Sequence, residues 1–239
     1  TLDRVGEGRY FKNMQRRIVI SPGESYHLYN RGVEKRKIFV TKRDHERFLK
    51  LLFLANGTAP LKFDRVKGIP LSEINRGTPL VAIGAYVLMP NHFHLLVHEV
   101  REGGISMFME KLTTAYASYF NKLNDRVGSL FQGTYKADHA DTDEYLKYLY
   151  SYIHLNPVKL IESKWRDKGI ADLKGVRAFL EQYRYSSYSD YLGNKREEGI
   201  IIDREPFPDY FSSTSDFNTE INDWLTYPHR HVSRVTLDT

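Results

Sequence analysis

The sequence predicts an α+β fold, a split βαβ sheet of the ferredoxin-like or RRM-like type with helices on one face and extensions at both chain ends. Two observations predict it. Hydrophobic periodicity changes along the chain in the order strand, helix, strand, strand, helix, strand, helix. A Met-Pro-Asn turn joins the middle two strands. We expect an N-terminal extension over residues 1–20, one central domain over residues 21–160 and a C-terminal extension over residues 161–239.

The individual elements follow from local patterns. Strand-like runs predict four extended segments, at residues 26–31, 80–88, 92–100 and 131–137. Apolar residues at helical spacing predict three helices, at residues 44–54, 105–123 and 141–156. The last of these begins with capping residues and an acidic first turn. It should end at Asn156, because Pro157 disfavours continuation of the helix.

Composition limits the classes of function. The 239 residues are 41% hydrophobic, enough to bury one sizeable core, and the net charge of +5 suits a nucleic-acid partner without requiring one. The chain has no cysteine, which excludes disulfides, thiolate metal sites and cysteine nucleophiles. No apolar run approaches the length of a membrane span, and no signal-peptide core is present. We therefore expect a cytoplasmic protein without a membrane partner.

A pair of histidines stands in an otherwise apolar run, Val-Leu-Met-Pro-Asn-His-Phe-His-Leu-Leu-Val. Alternate residues of a strand face opposite sides, so His92 and His94 should share one face while Phe93 and Leu95 enter the core. Two neutral imidazoles at this spacing can hold one divalent cation. Taken alone, the pair is more simply explained as two partly buried, hydrogen-bonded histidines.

The last predicted helix carries four tyrosines. Residues four apart share a helix face, so Tyr148, Tyr152 and Asn156 should form one column that ends in the carboxamide. Aromatic residues at helical spacing usually serve packing, which is the expected role of Tyr145, Tyr148 and Tyr150. Tyr152 is the exception that we single out as a functional residue.

Together these segments resemble a known family. His92-Phe-His94 after Val-Leu-Met-Pro-Asn, followed by Tyr-Ile-x-x-Asn-Pro-Val, is similar to the single-tyrosine HUH transposases of the IS200-like type. The branch with the best agreement is that of the REP-associated tyrosine transposases. Further matching segments lie at residues 26–32, 128–132 and 185–188. Each motif is short, but their order along the chain is specific.

The resemblance implies a function and its residues. Tyr152 would be the nucleophile, and His92, His94 and Asn156 would hold Mg²⁺ or Mn²⁺, with His154 and His98 as rival ligands. The implied reaction is metal-dependent nicking and strand transfer of single-stranded DNA through a covalent 5′-phosphotyrosine. The implied partner is single-stranded or hairpin DNA with a palindromic repeat. The protein would act at a prokaryotic nucleoid as a monomer or a homodimer.

Several residues are expected to contact the DNA backbone. The resemblance places the end of the first strand beside the site, so its arginine should bind phosphate and the basic run that follows should form a positive rim. Further on, a lysine after Pro157 and the arginine and hydroxyls near residue 185 suit phosphate contacts. The expected contacts are Arg31, Lys35, Arg36, Lys37, Lys159, Arg184, Ser186 and Ser187.

Other functions remain open at this point. A replication initiator or mobilisation-type nickase shares the same chemistry, although the chain lacks a Gly-x-x-x-x-Gly-Lys phosphate loop. A non-catalytic nucleic-acid-binding module of the same fold would need exposed aromatics where this sequence has His92 and His94. A hydrolase that uses water is disfavoured, because the sequence shows no carboxylate base beside the pair.

Overall fold

The computed structural model of the chain describes residues 19–60 and 62–227. The expected N-terminal extension over residues 1–20 therefore lies almost wholly outside the described residues, as does the end of the C-terminal extension. Within these described residues, four strands form one sheet: β1 (Ser25–Arg31), β2 (Val81–Met89), β3 (His92–Glu99) and β4 (Lys136–His139).

The sheet has the order β2-β3-β1-β4, and the neighbouring strands are all antiparallel. The two central strands, β1 and β3, are therefore distant in sequence, with a helix in each of the two connections that leave them. This is the arrangement of a split βαβ sheet, so the predicted fold class is confirmed. The turn at Pro90 and Asn91 joins β2 to β3, as predicted.

Two long helices cover one face of the sheet. They are α1 (Lys42–Ala55) and α2 (Gly104–Leu123), and they contact each other as well as the strands. Thr41 and Asp44 form a capping box at the start of α1. Phe48 of α1 lies between Phe93 of β3, at 5.0 Å between ring centroids, and Tyr116 of α2, at 4.9 Å. These rings anchor the first hydrophobic core.

The opposite face carries the tyrosine helix, α3 (Asp143–Leu155), which contacts β2 and β3, so helices lie on both faces of the sheet and not on one. The opposite face also carries more than the sequence predicts, because the C-terminal region packs there as α4 (Trp165–Lys168), α5 (Leu173–Gln182), α6 (Tyr188–Tyr191) and α7 (Thr214–Thr226). Short 3-10 turns span Val33–Lys35, Phe63–Val66, Leu71–Glu73, Asn156–Leu160 and Glu197–Ile201. The described part of the C-terminal extension is thus built into a second hydrophobic core.

Gly84 in β2 allows α3 to approach the sheet closely. It lies at an irregularity in the pairing of β2 with β3. A Cβ atom there would stand 2.9 Å from the Tyr150 hydroxyl and 2.9 Å from the Phe207 ring, which is too close for real atoms. The Gly84 carbonyl also accepts a 2.7 Å hydrogen bond from Tyr191. A glycine in a strand interior often marks such a close approach.

The outer edge of β2 is covered by residues 185–187. The Leu88 amide donates to the Tyr185 carbonyl at 2.8 Å, and the Ser187 amide donates to the Tyr86 carbonyl at 3.0 Å. Arg196 holds this segment in place through a hydrogen bond to the Ser186 carbonyl and one to the Tyr86 hydroxyl. A covered strand edge cannot pair with another chain.

None of the described helices is both long and apolar enough to span a bilayer.

Candidate active site

The paired histidines project from one face of β3. Phe93 and Leu95 between and beside them enter the core under α1 and α2, as strand alternation predicts. The rings of His92 and His94 lie 5.0 Å apart between centroids and are nearly perpendicular, at 85°. Both rings face the side of the sheet that α3 covers, so an imidazole pair and the tyrosine helix meet.

His92 is held by the turn that precedes it. Its Nδ1 lies 2.6 Å from Oδ1 of Asn91, and the amide nitrogen of Asn91 donates to the Lys35 carbonyl at 3.3 Å. Because the Asn91 oxygen can only accept, Nδ1 of His92 carries the proton. The free lone pair of this imidazole is therefore on Nε2.

His94 is held by His27, a residue that the sequence interpretation did not select. Nε2 of His27 and Nδ1 of His94 are 2.9 Å apart, and the two rings stack with centroids 5.0 Å apart. His27 is fully buried on β1, where its neighbour on β4 is Asp138. Oδ2 of Asp138 lies 3.8 Å from Nδ1 of His27.

Tyr152 of α3 lies against His94 and His27. Its ring meets His94 edge-on at 5.4 Å and His27 at 5.7 Å, and only 4% of the residue is exposed. Tyr148 stacks on Tyr152 one turn earlier at 5.7 Å, as their shared helix face predicts. Tyr150 points away and packs between Tyr191 and Phe207.

Asn156 ends the column at the point where α3 gives way to a 3-10 turn. Only 1% of it is exposed, and neither amide atom has a hydrogen-bond partner among the described residues. The amide is nevertheless close enough to His92 and Tyr152 to act on the pKa of both. An unpaired buried carboxamide is costly, and its oxygen can accept a hydrogen bond or bind a cation.

Burial dominates the electrostatics of the site. It lowers the pKa of His92 to about 4, with help from the positive charges of Lys159 and Arg31. Burial likewise holds the pKa of His94 well below its usual range. Both imidazoles are therefore neutral at physiological pH, which is the form that can bind a metal.

Burial also raises the pKa of the Tyr152 phenol, and the Asp138 carboxylate adds to that rise. The largest opposing influence is Arg166, whose guanidinium carbon lies 5.1 Å from the centre of the Tyr152 ring. Asn156 opposes the rise as well. Arg166 comes from α4, and the sequence interpretation gave it no role in the site.

The structure brings some of the predicted DNA contacts to the site. Arg31 and Lys159 are close enough to the pair to lower the pKa of His92. Three further cations follow β1 in the turn that contacts Asn91: Lys35 and Lys37 are exposed, and Arg36 is partly buried with an ion pair to Glu34.

Other predicted residues lie elsewhere. Ser186 and Ser187 are fully buried, and the Ser187 hydroxyl meets His154 at 2.7 Å, so we correct the prediction that these serines contact DNA. His154 lies on α3 but packs against Tyr191 and Phe217, away from the paired histidines, so it is not placed to act as a rival ligand. His98 approaches the Ser25 hydroxyl at 3.1 Å near the far end of β3. Arg184 is exposed and directly precedes residues 185–187, which cover the edge of β2, and it forms an ion pair with Glu198.

Residues 77–156 match the family model described as Transposase IS200 like. Over this range the chain is similar to the IS200-like transposases. The range contains β2, the histidine pair, α2, β4 and α3 with Tyr152 and Asn156. The resemblance found in the motifs is thus confirmed there, and the match indicates transposase-type DNA processing.

A search of curated proteins finds no match. Among solved structures, the chain is similar to a REP-associated tyrosine transposase bound to a REP hairpin, with 12% sequence identity and a TM-score of 0.45. That likeness covers 82% of this chain and 90% of the other.

The donor set of this transposase-like site fits a divalent metal of moderate hardness. Within residues 19–60 and 62–227, no group of three His, Cys, Asp or Glu side chains is placed to hold a metal ion. The site offers two imidazole nitrogens and the unpaired Asn156 carboxamide instead. Such a set, with phosphate oxygens completing the shell, can bind a divalent cation.

Two of the residues missed in the sequence carried a detectable signal. Tyr26 and Leu28 face the first core, so alternation alone places His27 on the same side as the histidine pair once β1 and β3 are paired. Asp138 faces His27 through the pairing of β1 with β4. It supplies a carboxylate near the site, which corrects the view that none lies there. No local pattern identifies Arg166.

Proposed function

We propose that this protein nicks single-stranded DNA in a metal-dependent reaction and transfers the strand through a covalent 5′-phosphotyrosine on Tyr152. The observation that carries the proposal is the contact of the Tyr152 ring with His94, beside the unpaired carboxamide of Asn156. The family match over residues 77–156 supports it, because that range contains all of these residues.

The reaction follows from the groups that surround Tyr152. Its phenol oxygen attacks phosphorus, the bond from phosphorus to the 3′ oxygen breaks, and the 3′ oxygen leaves as a hydroxyl that has gained a proton. The phenol releases its own proton to solvent, which balances the proton that the 3′ oxygen gains, and the Arg166 charge favours this release. Attack by a different 3′-hydroxyl reverses the step and joins a new strand, so no nucleotide cofactor is needed.

A metal would support the same step. His92, His94 and Asn156 are the residues that would hold Mg²⁺ or Mn²⁺, whose charge polarises a non-bridging phosphate oxygen when the ion is bound. Arg31 and Lys159 lie on the same side and would bind the phosphates that flank the reacting one. A single-stranded or hairpin DNA is the proposed substrate, because the site lies on a sheet face partly covered by α3.

The test is the formation of a covalent adduct. Labelled hairpin DNA with a single-stranded flank is incubated with the protein and Mn²⁺, and the products are separated on a denaturing gel. The parent should form an adduct whose mobility on the gel changes after protease treatment. Tyr152→Phe should form no adduct, because it removes the attacking oxygen and almost nothing else. Tyr148→Phe is the matched control, since its ring stacks on Tyr152 one turn away.

Peptide mapping by mass spectrometry then locates the modified residue. Adduct on Tyr152 supports the proposal, and adduct on Tyr148 or undiminished cleavage by Tyr152→Phe would refute it. A second labelled strand with a free 3′-hydroxyl distinguishes the outcomes further. Joining to that strand supports strand transfer, whereas nicking without joining would favour a nickase.

A further inference from the structure

We infer that His27 and Asp138 form a relay across the sheet that holds His94 in the tautomer with its Nε2 lone pair free for the metal. The inference rests on the proposed function and concerns how that site is built. His27 is a positioning residue in this scheme, because it acts through His94 and not on the DNA.

The relay crosses three neighbouring strands. His94 lies on β3, His27 on β1 and Asp138 on β4, with β1 in the centre. His27 and Asp138 are directly paired, and His27 and His94 are diagonal neighbours on one face. The three side chains therefore stand in one row, and the two imidazoles are joined by the 2.9 Å contact of Nε2 with Nδ1.

The carboxylate selects the direction of that hydrogen bond. Nδ1 of His27 is buried without a hydrogen-bond partner among the described residues, and Oδ2 of Asp138 lies 3.8 Å away. A lone pair on Nδ1 would face a negative oxygen, whereas a proton there would be attracted to it. With the proton on Nδ1, Nε2 of His27 must accept, so His94 donates its own Nδ1 proton.

The same outcome is reached independently at His92. There Asn91 accepts the Nδ1 proton, and the Lys35 carbonyl fixes the orientation of the Asn91 amide. Both imidazoles then present Nε2 as the free nitrogen, although one uses a turn residue and the other a buried histidine. Hydrogen bonds of this kind fix the tautomer and ring orientation of metal-binding histidines, and their loss typically weakens metal binding by about 10- to 100-fold.

The first experiment measures Mn²⁺ binding to the full chain without DNA, by calorimetry and by the loss of the free-ion electron spin resonance signal. His27→Phe keeps the ring stacking and volume but removes both nitrogens, and we expect Mn²⁺ binding about 10- to 100-fold weaker. His27→Gln is the matched control, because its amide oxygen can accept from His94 and should restore much of the affinity. Asp138→Asn should give a smaller loss in the same direction.

A second measurement needs no substitution at the site. The ¹⁵N chemical shifts of histidine-labelled, metal-free protein report which nitrogen of His94 carries the proton, and we expect Nδ1. A proton on Nε2 of His94 would overturn the inference even if the His27→Phe variant does not fold. Equal Mn²⁺ affinity of the parent, His27→Phe and His27→Gln would overturn it too.

The results separate this inference from the proposed function. If the parent binds Mn²⁺ and forms the Tyr152 adduct while His27→Phe matches it in metal affinity, the relay is refuted and the function stands. If the parent binds no Mn²⁺, or if His94→Ala binds it as well as the parent, the metal site itself is refuted. The relay would then fail with it.

Discussion

Replacing Arg166 by glutamine should slow DNA cleavage by roughly 10- to 100-fold at neutral pH, with a much smaller effect on DNA affinity. The reason is the position of its guanidinium, 5.1 Å from the centre of the Tyr152 ring. Of the groups that lower the pKa of Tyr152, Arg166 has the largest effect. Its loss leaves burial and Asp138 to raise that pKa further, so less phenolate is present at a given pH.

The magnitude follows from Coulomb's law. If the guanidinium-to-ring-centre distance of about 5 Å is taken as the charge separation, two unit charges interact by about 3 kcal/mol at an effective dielectric constant of about 20, and by about 0.8 kcal/mol in bulk water. Tyr152 is almost fully buried and Arg166 is half-buried, so the true value lies between these limits. Since 1.4 kcal/mol corresponds to a factor of ten, an effect of about one to two powers of ten is expected.

The assay is single-turnover adduct formation at saturating DNA, measured over a series of pH values. For a phenolate nucleophile the rate rises with pH, and Arg166→Gln should move that rise to higher pH. Arg166→Lys should retain part of the rate because it keeps the charge. Lys164→Gln is the matched control, since it removes an exposed positive charge from the same segment.

Two results would contradict this reasoning. A rate within about twofold of the parent would show that the guanidinium does not act on the phenol, given the energies above. A slower rate with an unchanged pH profile would show that Arg166 acts on the DNA phosphate and not on Tyr152.

Three further predictions concern the metal, the DNA and the fold. Chelation of divalent ions by EDTA should abolish adduct formation on a denaturing gel, and so should His92→Ala. The thermal unfolding of His92→Ala, followed by circular dichroism, should stay close to that of the parent. Adduct formation in excess EDTA would contradict the metal mechanism. Hairpin DNA with a single-stranded flank should bind more tightly than a blunt duplex in fluorescence anisotropy, and Arg31→Gln should reduce the salt slope by about one. Arg196→Met should lower the free energy of unfolding by about 3–5 kcal/mol in urea titrations, because it leaves Asp190 unpaired, and a loss below 1 kcal/mol would contradict this.

The fold was predictable because local signals agreed with the final topology. The predicted strand at 26–31 is observed as Ser25–Arg31, and the predicted helix at 105–123 as Gly104–Leu123. The exception is the extended stretch at 131–137, where only a bridge from Phe131 to Gly32 precedes β4. Short edge strands carry few residues, so their bounds are set by the partner strand and not by local sequence.

The C-terminal region shows a different limit. Its helices α4 and α6 have four residues each, too short for a helical period to be detected in the sequence. They form only because they pack on α3 and on the second face of the sheet, where Trp165 is almost completely buried. The roles of Ser186 and Ser187 also depend on tertiary packing. In the sequence, hydroxyl groups near an arginine are equally consistent with DNA contacts and with buried hydrogen bonds.

The residues of the site also fall into those that local patterns predict and those that only tertiary contacts bring there. Spacing within single elements places His92 with His94 on one strand face and Tyr152 with Asn156 on one helix face, and the family resemblance selects these four as the predicted site residues. The groups that adjust them lie on β1, β4 and α4, and each reaches the site only through tertiary contacts. The histidine pair and the tyrosine helix therefore identify the groups expected to react, whereas the tautomer of His94 and the acidity of Tyr152 depend on residues outside these two segments. Variants outside these segments should consequently change the rate of the reaction while leaving its product the same.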